Sequence, residues 1–241
     1  MNKLVRFIID RKYRFSVLES HAVLNFLSDK CYLKIKYKLY FQKNLDLKNP
    51  QTFNEKLQWL KLYDRSPLYT ILVDKFAVRR HIAEKIGEEY LIPLVGGPWK
   101  SFNEIDFNAL PNQFVLKCTH DSGGIVICKD KSKFDINAAR DKISRSLNRN
   151  YYYHGREWPY KDVPPQIIAE KFMYDERNKD GLTDYKFYCF DGTPEFLYVS
   201  KGMDDHSTAR ISFLNLDWTF ADFQRTDYNH FTNLPEKPMQ Y

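Results

Sequence analysis

The stretch Phe114-Val-Leu-Lys-Cys-Thr-His-Asp-Ser-Gly-Gly-Ile-Val-Ile-Cys-Lys129 decides the fold. Residues 114–119 and 125–129 are β-rich runs, and His120-Asp121-Ser122-Gly123-Gly124 between them are turn formers. Two such runs about a short turn predict a β-hairpin. Lys117 interrupts the first run, and a lysine among apolar neighbours must reach either solvent or an anion. That makes it a candidate phosphate ligand, because the turn after it offers successive backbone N–H groups with no bulky side chain in the way. The turn alone is a weak signal, since any tight hairpin favours Asp, Ser and Gly.

Working outward, residues 137–149 read as a helix with Asn137 or Asp135 as its cap, and residues 166–173 as a buried strand after Pro164-Pro165. Glu170 lies in that strand, where a carboxylate needs a partner that either a protein lysine or a ligand amine or hydroxyl would provide. Residues 184–190 and 194–199 flank the turn Asp191-Gly192 and predict a second antiparallel pair. Asp184 and Lys186 alternate with Tyr185 and Phe187, so both charges face one side of their strand. Upstream, Thr52-Phe-Asn-Glu55 is a capping-box pattern that starts a helix through Tyr63. A further helix is expected over about residues 68–86, ending at Gly87, with Lys75 early in it and Asp74 and Arg79 free to make surface pairs. Short strands and loops follow over residues 90–107. With no internal repeat, the pattern predicts a mixed α/β architecture.

A chain of 241 residues, 43% of them hydrophobic, buries a real core. Its 37 basic against 31 acidic residues, a net +6, suits anionic partners but is too mild an excess to argue for nucleic acid. Cys31, Cys118, Cys128 and Cys189 are widely spaced and suggest neither a zinc site nor a disulfide framework, which fits a reducing cytoplasm. Asp10 and Arg11 interrupt the first apolar patch, so residues 1–20 read as neither signal peptide nor membrane span. Residues 30–41 alternate basic with apolar positions and fit helix or strand. The basic region over residues 1–48 has two readings: a surface for peripheral association with anionic lipid at the inner face of the membrane or with glycan carriers, or a solvated helix whose lysine stems cover aromatic core.

Several blocks together resemble one branch of the ATP-grasp enzymes. Leu47-Lys-Asn-Pro-Gln-Thr-Phe-Asn-Glu-Lys56, Gln58-Trp-Leu-Lys-Leu-Tyr63, Val73-Asp-Lys-Phe-Ala-Val-Arg79, Phe114-Val-Leu-Lys117 with Ser122-Gly-Gly124, and Asp184-Tyr-Lys-Phe187 are similar to the TupA-like (teichuronopeptide biosynthesis) ATP-grasp family over about residues 33–220. The resemblance implies an ATP-grasp-like α+β fold of two subdomains that hold ATP with Mg²⁺. It places an N-terminal basic and aromatic helical region at 1–60, the small subdomain at 61–173 and the start of the large subdomain at 174–241. By carry-over, Lys75 and Lys117 contact the phosphates, Ser122, Gly123 and Gly124 close over them, and Glu170 with the backbone of Lys171 and Phe172 lies beside adenine and ribose. Lys186 would face the reacting phosphate as the catalytic residue. The implied chemistry activates the carboxylate of an acidic sugar or glycan as an acyl phosphate, which an amino acid or other amine attacks, in bacterial surface-polysaccharide (capsule or teichuronopeptide) biosynthesis.

The family pattern continues past a segment like Leu234-Pro-Glu-Lys-Pro238 into acidic Mg²⁺ ligands that these 241 residues do not include, so the metal ligands are unknown and weak nucleotide binding is expected. Asp217 and Asp222 read as surface turns rather than ligands. Other readings of the chain are a glycosyltransferase, against which only Asp204-Asp205 comes near a metal-chelating motif, and a non-catalytic nucleotide- or glycan-binding module. His120 reads as a solvated turn residue or a phosphate contact, and Tyr151-Tyr-Tyr-His154 with Glu157-Trp158 as core, lid or sugar-stacking aromatics. Walker A, GxGxxG, GxSxG and HExxH motifs do not occur, which argues against the common kinases, dehydrogenases, serine hydrolases and zinc proteases.

Overall fold

The structure, a computed structural model, describes residues 2–174, 181–203 and 207–238; Asp204-Asp205 and Tyr241 lie outside them. The chain divides into two compact units, residues 1–172 and 173–241. The architecture is mixed α/β with two antiparallel sheets, as the sequence pattern predicts.

The first unit opens with helices. α1 (Lys3–Ile9) and α2 (Arg11–Ser20) meet at Asp10, whose carboxylate accepts from the N–H groups of Lys12 and Tyr13 and so caps α2. α3 (Asp29–Phe41) resolves the helix-or-strand ambiguity of residues 30–41. Lys30, Lys34 and Lys38, spaced by four, form one exposed row, while Tyr32, Leu33 and Tyr37 turn inward against Phe15 and Leu45. α4 (Phe53–Tyr63) carries the expected capping box: Thr52 Oγ1 accepts from the Glu55 N–H and Glu55 Oε2 accepts from the Thr52 N–H. Residues 151–160 pack back on this layer through Arg156, which is almost fully buried, donates to Leu24 O and lies over the rings of Tyr32, Tyr152 and Tyr153. Trp158 Nε1 donates to Asp64 O, so this aromatic segment is packing rather than a free lid.

The single helix expected over residues 68–86 is two. α5 (Pro67–Val73) starts with proline at its first position and α6 (Ala77–Ile86) ends at Gly87, whose φ of 114° suits glycine. The break falls at Asp74-Lys75-Phe76, where the chain is claimed by tertiary contacts. The Lys75 N–H donates to Thr119 O, and the buried Asp74 carboxylate accepts from the N–H groups of Phe76 (2.8 Å) and Ala77 (3.3 Å), the first donors of α6. Asp74 is therefore a buried cap and not half of a surface pair.

The first sheet has the order β1-β4-β2-β3, from β1 (Leu94–Trp99), β2 (Phe114–Cys118), β3 (Ile125–Cys128) and β4 (Ile167–Lys171). β2 and β3 make the expected hairpin, Phe114 opposite Cys128 and Lys117 opposite Ile125, and β2 pairs antiparallel with β4 on its other side. In β2, Phe114, Leu116 and Cys118 are wholly buried and Val115 and Lys117 are not, as period-2 alternation requires. The inward set packs on α7 (Ile136–Leu147), capped by Asp135, through its face Ala139, Ile143 and Ser146.

The second unit is a three-stranded sheet of β5 (Asp184–Phe190), β6 (Thr193–Lys201) and β7 (Arg210–Asn215). The first two strands turn at Asp191-Gly192, both with positive φ. Leu197, Val199, Leu214 and Trp218 form its core.

Replacing Asp74 with alanine removes the carboxylate that accepts from the Phe76 and Ala77 N–H groups at the start of α6. The expected loss is about 1–2 kcal/mol of stability, read as a fall in urea midpoint with unchanged slope. An unchanged midpoint would show that the helix break holds without its cap.

Candidate functional site: a cationic cleft under the hairpin turn

Cross-strand partners in an antiparallel sheet share a face. Lys117 opposite Ile125 and Ile168, with Val115 opposite Ile127 and Glu170, therefore puts Lys117, Glu170, Ile125 and Ile127 on the face of the sheet turned away from α7. Lys117 Nζ donates to Glu170 Oε2 at 2.5 Å, and Arg79 of α6 approaches the other oxygen at 3.6 Å. The strand carboxylate thus finds two protein cations, and the strand lysine finds a protein anion that is almost fully buried.

Lys75 arrives from the helix break. Its ammonium donates to the carbonyls of Cys118 (3.1 Å) and Asp121, so it braces the start of the hairpin turn from below. Burial lowers its pKa from the usual lysine value, opposed by the Asp121 carboxylate. Lys75, Lys117, Ser122, Gly123 and Gly124 all line one cleft of about 550 Å³, with Ile125 and Tyr160 among its other walls. Glu170 stands behind Lys117 and is not itself among the lining residues.

The two glycines of the turn do different things. At Gly124 a Cβ would sit 2.3 Å from Ser146 Oγ and 2.7 Å from the Cβ of Cys118, so the chain passes too close to α7 for any side chain. At Gly123, with φ of 126°, a Cβ would meet nothing within 4 Å. The turn is pinned on its inner side and open on its outer side. Asp121 does the pinning: its buried carboxylate accepts from the Gly124 N–H at 3.3 Å and from the Ser146 hydroxyl. Cys118, beside it, has its thiol pushed up to about 11 by burial and is inert as a nucleophile near neutral pH.

His120 is not solvated. It is 2% exposed, and its Nε2 lies 3.1 Å and 3.2 Å from the carbonyls of Ser146 and Arg149. Carbonyls only accept, so Nε2 carries the proton and His120 fastens the turn to the end of α7. The Lys171 N–H donates to Pro93 O within the sheet, and Phe172 is half-buried at its end. Lys186 lies in the second unit, paired with Asp184 as the shared face predicts and 5.3 Å from the Tyr198 ring. Burial lowers its pKa. Among the described residues no group of three or more metal-ligating side chains converges; Asp217 is engaged with Thr219 and Asp222 is exposed.

Arg79, expected to make a surface pair with Asp74, instead meets the nearly buried Glu170, and the roles of Asp121 and Ser146 in holding the turn were not foreseen. Asp121 had a signal, an Asp three residues before a turn glycine, but nothing in the sequence pointed to Ser146 twenty-five residues on.

The family model for TupA-like ATPgrasp matches residues 55–229. The chain belongs to the TupA-like ATP-grasp family. Membership carries an ATP-dependent, ligase-like function at the level of the family, whose domains generally use ATP and Mg²⁺. No curated protein and no solved structure matches the chain. No helix among the described residues is long and apolar enough to cross a membrane.

The geometry orders two substitutions. Glu170→Gln leaves Lys117 and Arg79 facing each other without their shared anion, whereas Lys117→Met leaves Glu170 still paired with Arg79. Glu170→Gln is expected to cost about 2 kcal/mol and Lys117→Met about 1 kcal/mol or less, measured by urea unfolding; the reverse order would show that Arg79 does not share the carboxylate.

Proposed function

We propose that the chain is an ATP-dependent carboxylate–amine ligase of bacterial surface-polysaccharide synthesis, working in the cytoplasm. The observation that carries the reading is the convergence of Lys75 and Lys117, forty-two positions apart, on one cleft roofed by a turn whose Gly123 leaves its outer side open. A triphosphate suits that place. Two cations answer its charge, and the small residues at 122–124 let backbone approach its oxygens closely.

In this reading the phosphates lie between the Lys75 and Lys117 ammonium groups and the N–H groups of Ser122 and Gly123. The reading assigns Glu170 and the backbone of Lys171 and Phe172 to adenine and ribose, and Lys186 to the reacting phosphate. An oxygen of the acceptor carboxylate bonds to the terminal phosphorus as the bond to the diphosphate breaks. The amine nitrogen then bonds to the acyl carbon, phosphate departs with the bonding pair, and the amine loses a proton. In this reading the chain's residues orient and neutralise rather than form covalent bonds, a role that the two lysines and two glycines of the cleft suit. The acceptor of the reading is an acidic sugar or glycan and the second substrate an amino acid or amine. Mg²⁺, when bound, screens phosphate charge; no described residue is assigned to it.

Loss of one charge-assisted phosphate contact costs about 1.5–3 kcal/mol, so Lys117→Ala is expected to weaken ATP binding by about tenfold or more in calorimetry, in variants shown to be folded by circular dichroism. Trapping the acyl phosphate with hydroxylamine, in the presence of Mg²⁺ and uronic-acid acceptors, tests the chemistry. Parent-like ATP affinity in the variant would make Lys117 a purely structural partner of Glu170.

A further inference from the structure

The family match begins at residue 55, so the chemistry of the family leaves the N-terminal helices unexplained. Their charge is unlike that of the remainder. Residues 1–48 hold eleven Lys and Arg against four Asp and Glu, a net +7, while residues 49–241 hold 26 against 27, a net −1; the whole positive charge of the chain is concentrated there.

α1 adds an apolar surface to that charge. None of its residues is buried, yet Leu4, Val5, Ile8 and Ile9 are 66%, 46%, 62% and 63% exposed. At 100° per residue these four fall on one arc of the helix, while Phe7, the half-buried member, lies on the side that packs down. Basic residues flank the arc: the exposed Arg6, about 60° beyond Ile9 on α1, then the exposed Arg11 and Lys12 where α2 begins. Lys12 lies 5.3 Å from the ring of Tyr40 at the end of α3, itself 43% exposed, which joins the lysine-bearing α3 to the same surface. An apolar stripe rimmed by lysine and arginine matches an anionic lipid surface, where the stripe enters the acyl boundary and the cations meet head-group charge. A second copy of the chain would bring the same positive rims together and is disfavoured by their repulsion.

We propose that α1 lies flat in the face of an anionic membrane, with Leu4, Val5, Ile8 and Ile9 inserted and Arg6, Arg11 and Lys12 on head groups, holding the protein peripherally at the bilayer. This binding is separate from the cleft and does not depend on nucleotide.

Sedimentation of the full chain with large vesicles of phosphatidylglycerol and phosphatidylcholine in equal parts tests it. The parent should co-sediment with these vesicles, far less with phosphatidylcholine alone, and less as salt is raised. Leu4→Ser with Ile8→Ser, both at exposed positions, should lower the partition coefficient by about tenfold or more, and Arg11→Glu with Lys12→Glu should do so on anionic vesicles only. Circular dichroism of both variants should match the parent. Failure of the parent to bind anionic vesicles, equal binding by the Leu4/Ile8 variant, or a concentration-dependent dimer in sedimentation velocity that the same variant abolishes would each overturn the proposal, the last by giving the stripe to a second copy.

Discussion

Lys75 sits where two requirements meet. Its main-chain N–H satisfies the carbonyl of Thr119, and its ammonium satisfies the carbonyls of Cys118 and Asp121, so one residue breaks a helix and braces the turn at the end of β2. The strand beyond obeys a stricter rule. Because Phe114, Leu116 and Cys118 must face α7, Val115 and Lys117 face the other way, and Lys117 therefore stands on the same side of the sheet as Glu170 and Ile125. A one-residue slip of β2 would put the ammonium in the core and Leu116 in the cleft. The hydrophobic packing on α7 is what makes that slip costly.

The hairpin was legible in the sequence because its signal is local: two apolar runs, a turn of small residues and a lysine at an alternating position. The capping box at Thr52 and Glu55 was legible for the same reason. The break at Asp74-Lys75-Phe76 was not, since apolar residues continue through 68–86 at helical spacing and the groups that claim the chain, Thr119 and Asp121, lie more than forty residues away. Asp121 and His120 look like ordinary turn residues until α7 brings Ser146 and Arg149 to them. Glu170 was legible as a carboxylate needing a partner, but the sequence left lysine and ligand equally open, and the structure supplies Lys117 and Arg79. The site residues were thus readable as candidates, while the groups that hold them in place belong to packing.

The cleft's charges are satisfied within the protein, and this shapes what a ligand must do. The Lys117 ammonium donates a hydrogen bond to Glu170, and the Lys75 ammonium donates to the carbonyls of Cys118 and Asp121. In the proposed function, an incoming phosphate competes with a carboxylate for one ammonium and with carbonyls for the other. Carbonyls carry only partial charge, so a phosphate oxygen gains more at Lys75, while at Lys117 the ammonium has three protons and can keep Glu170 as it adds a second acceptor. Such pre-held lysines lose little side-chain freedom on binding, which favours affinity.

The most direct test of a cleft built for a polyphosphate is the affinity of the parent chain for ATP, ADP and AMP, set beside the same series for the Lys75→Met/Lys117→Met double variant. Affinity in the parent should fall by about tenfold on going from ATP to AMP, as charge-assisted contacts are lost, and the double variant should flatten the series. A parent that binds all three nucleotides equally, or a double variant that keeps the parent's preference for ATP, would contradict a polyphosphate cleft.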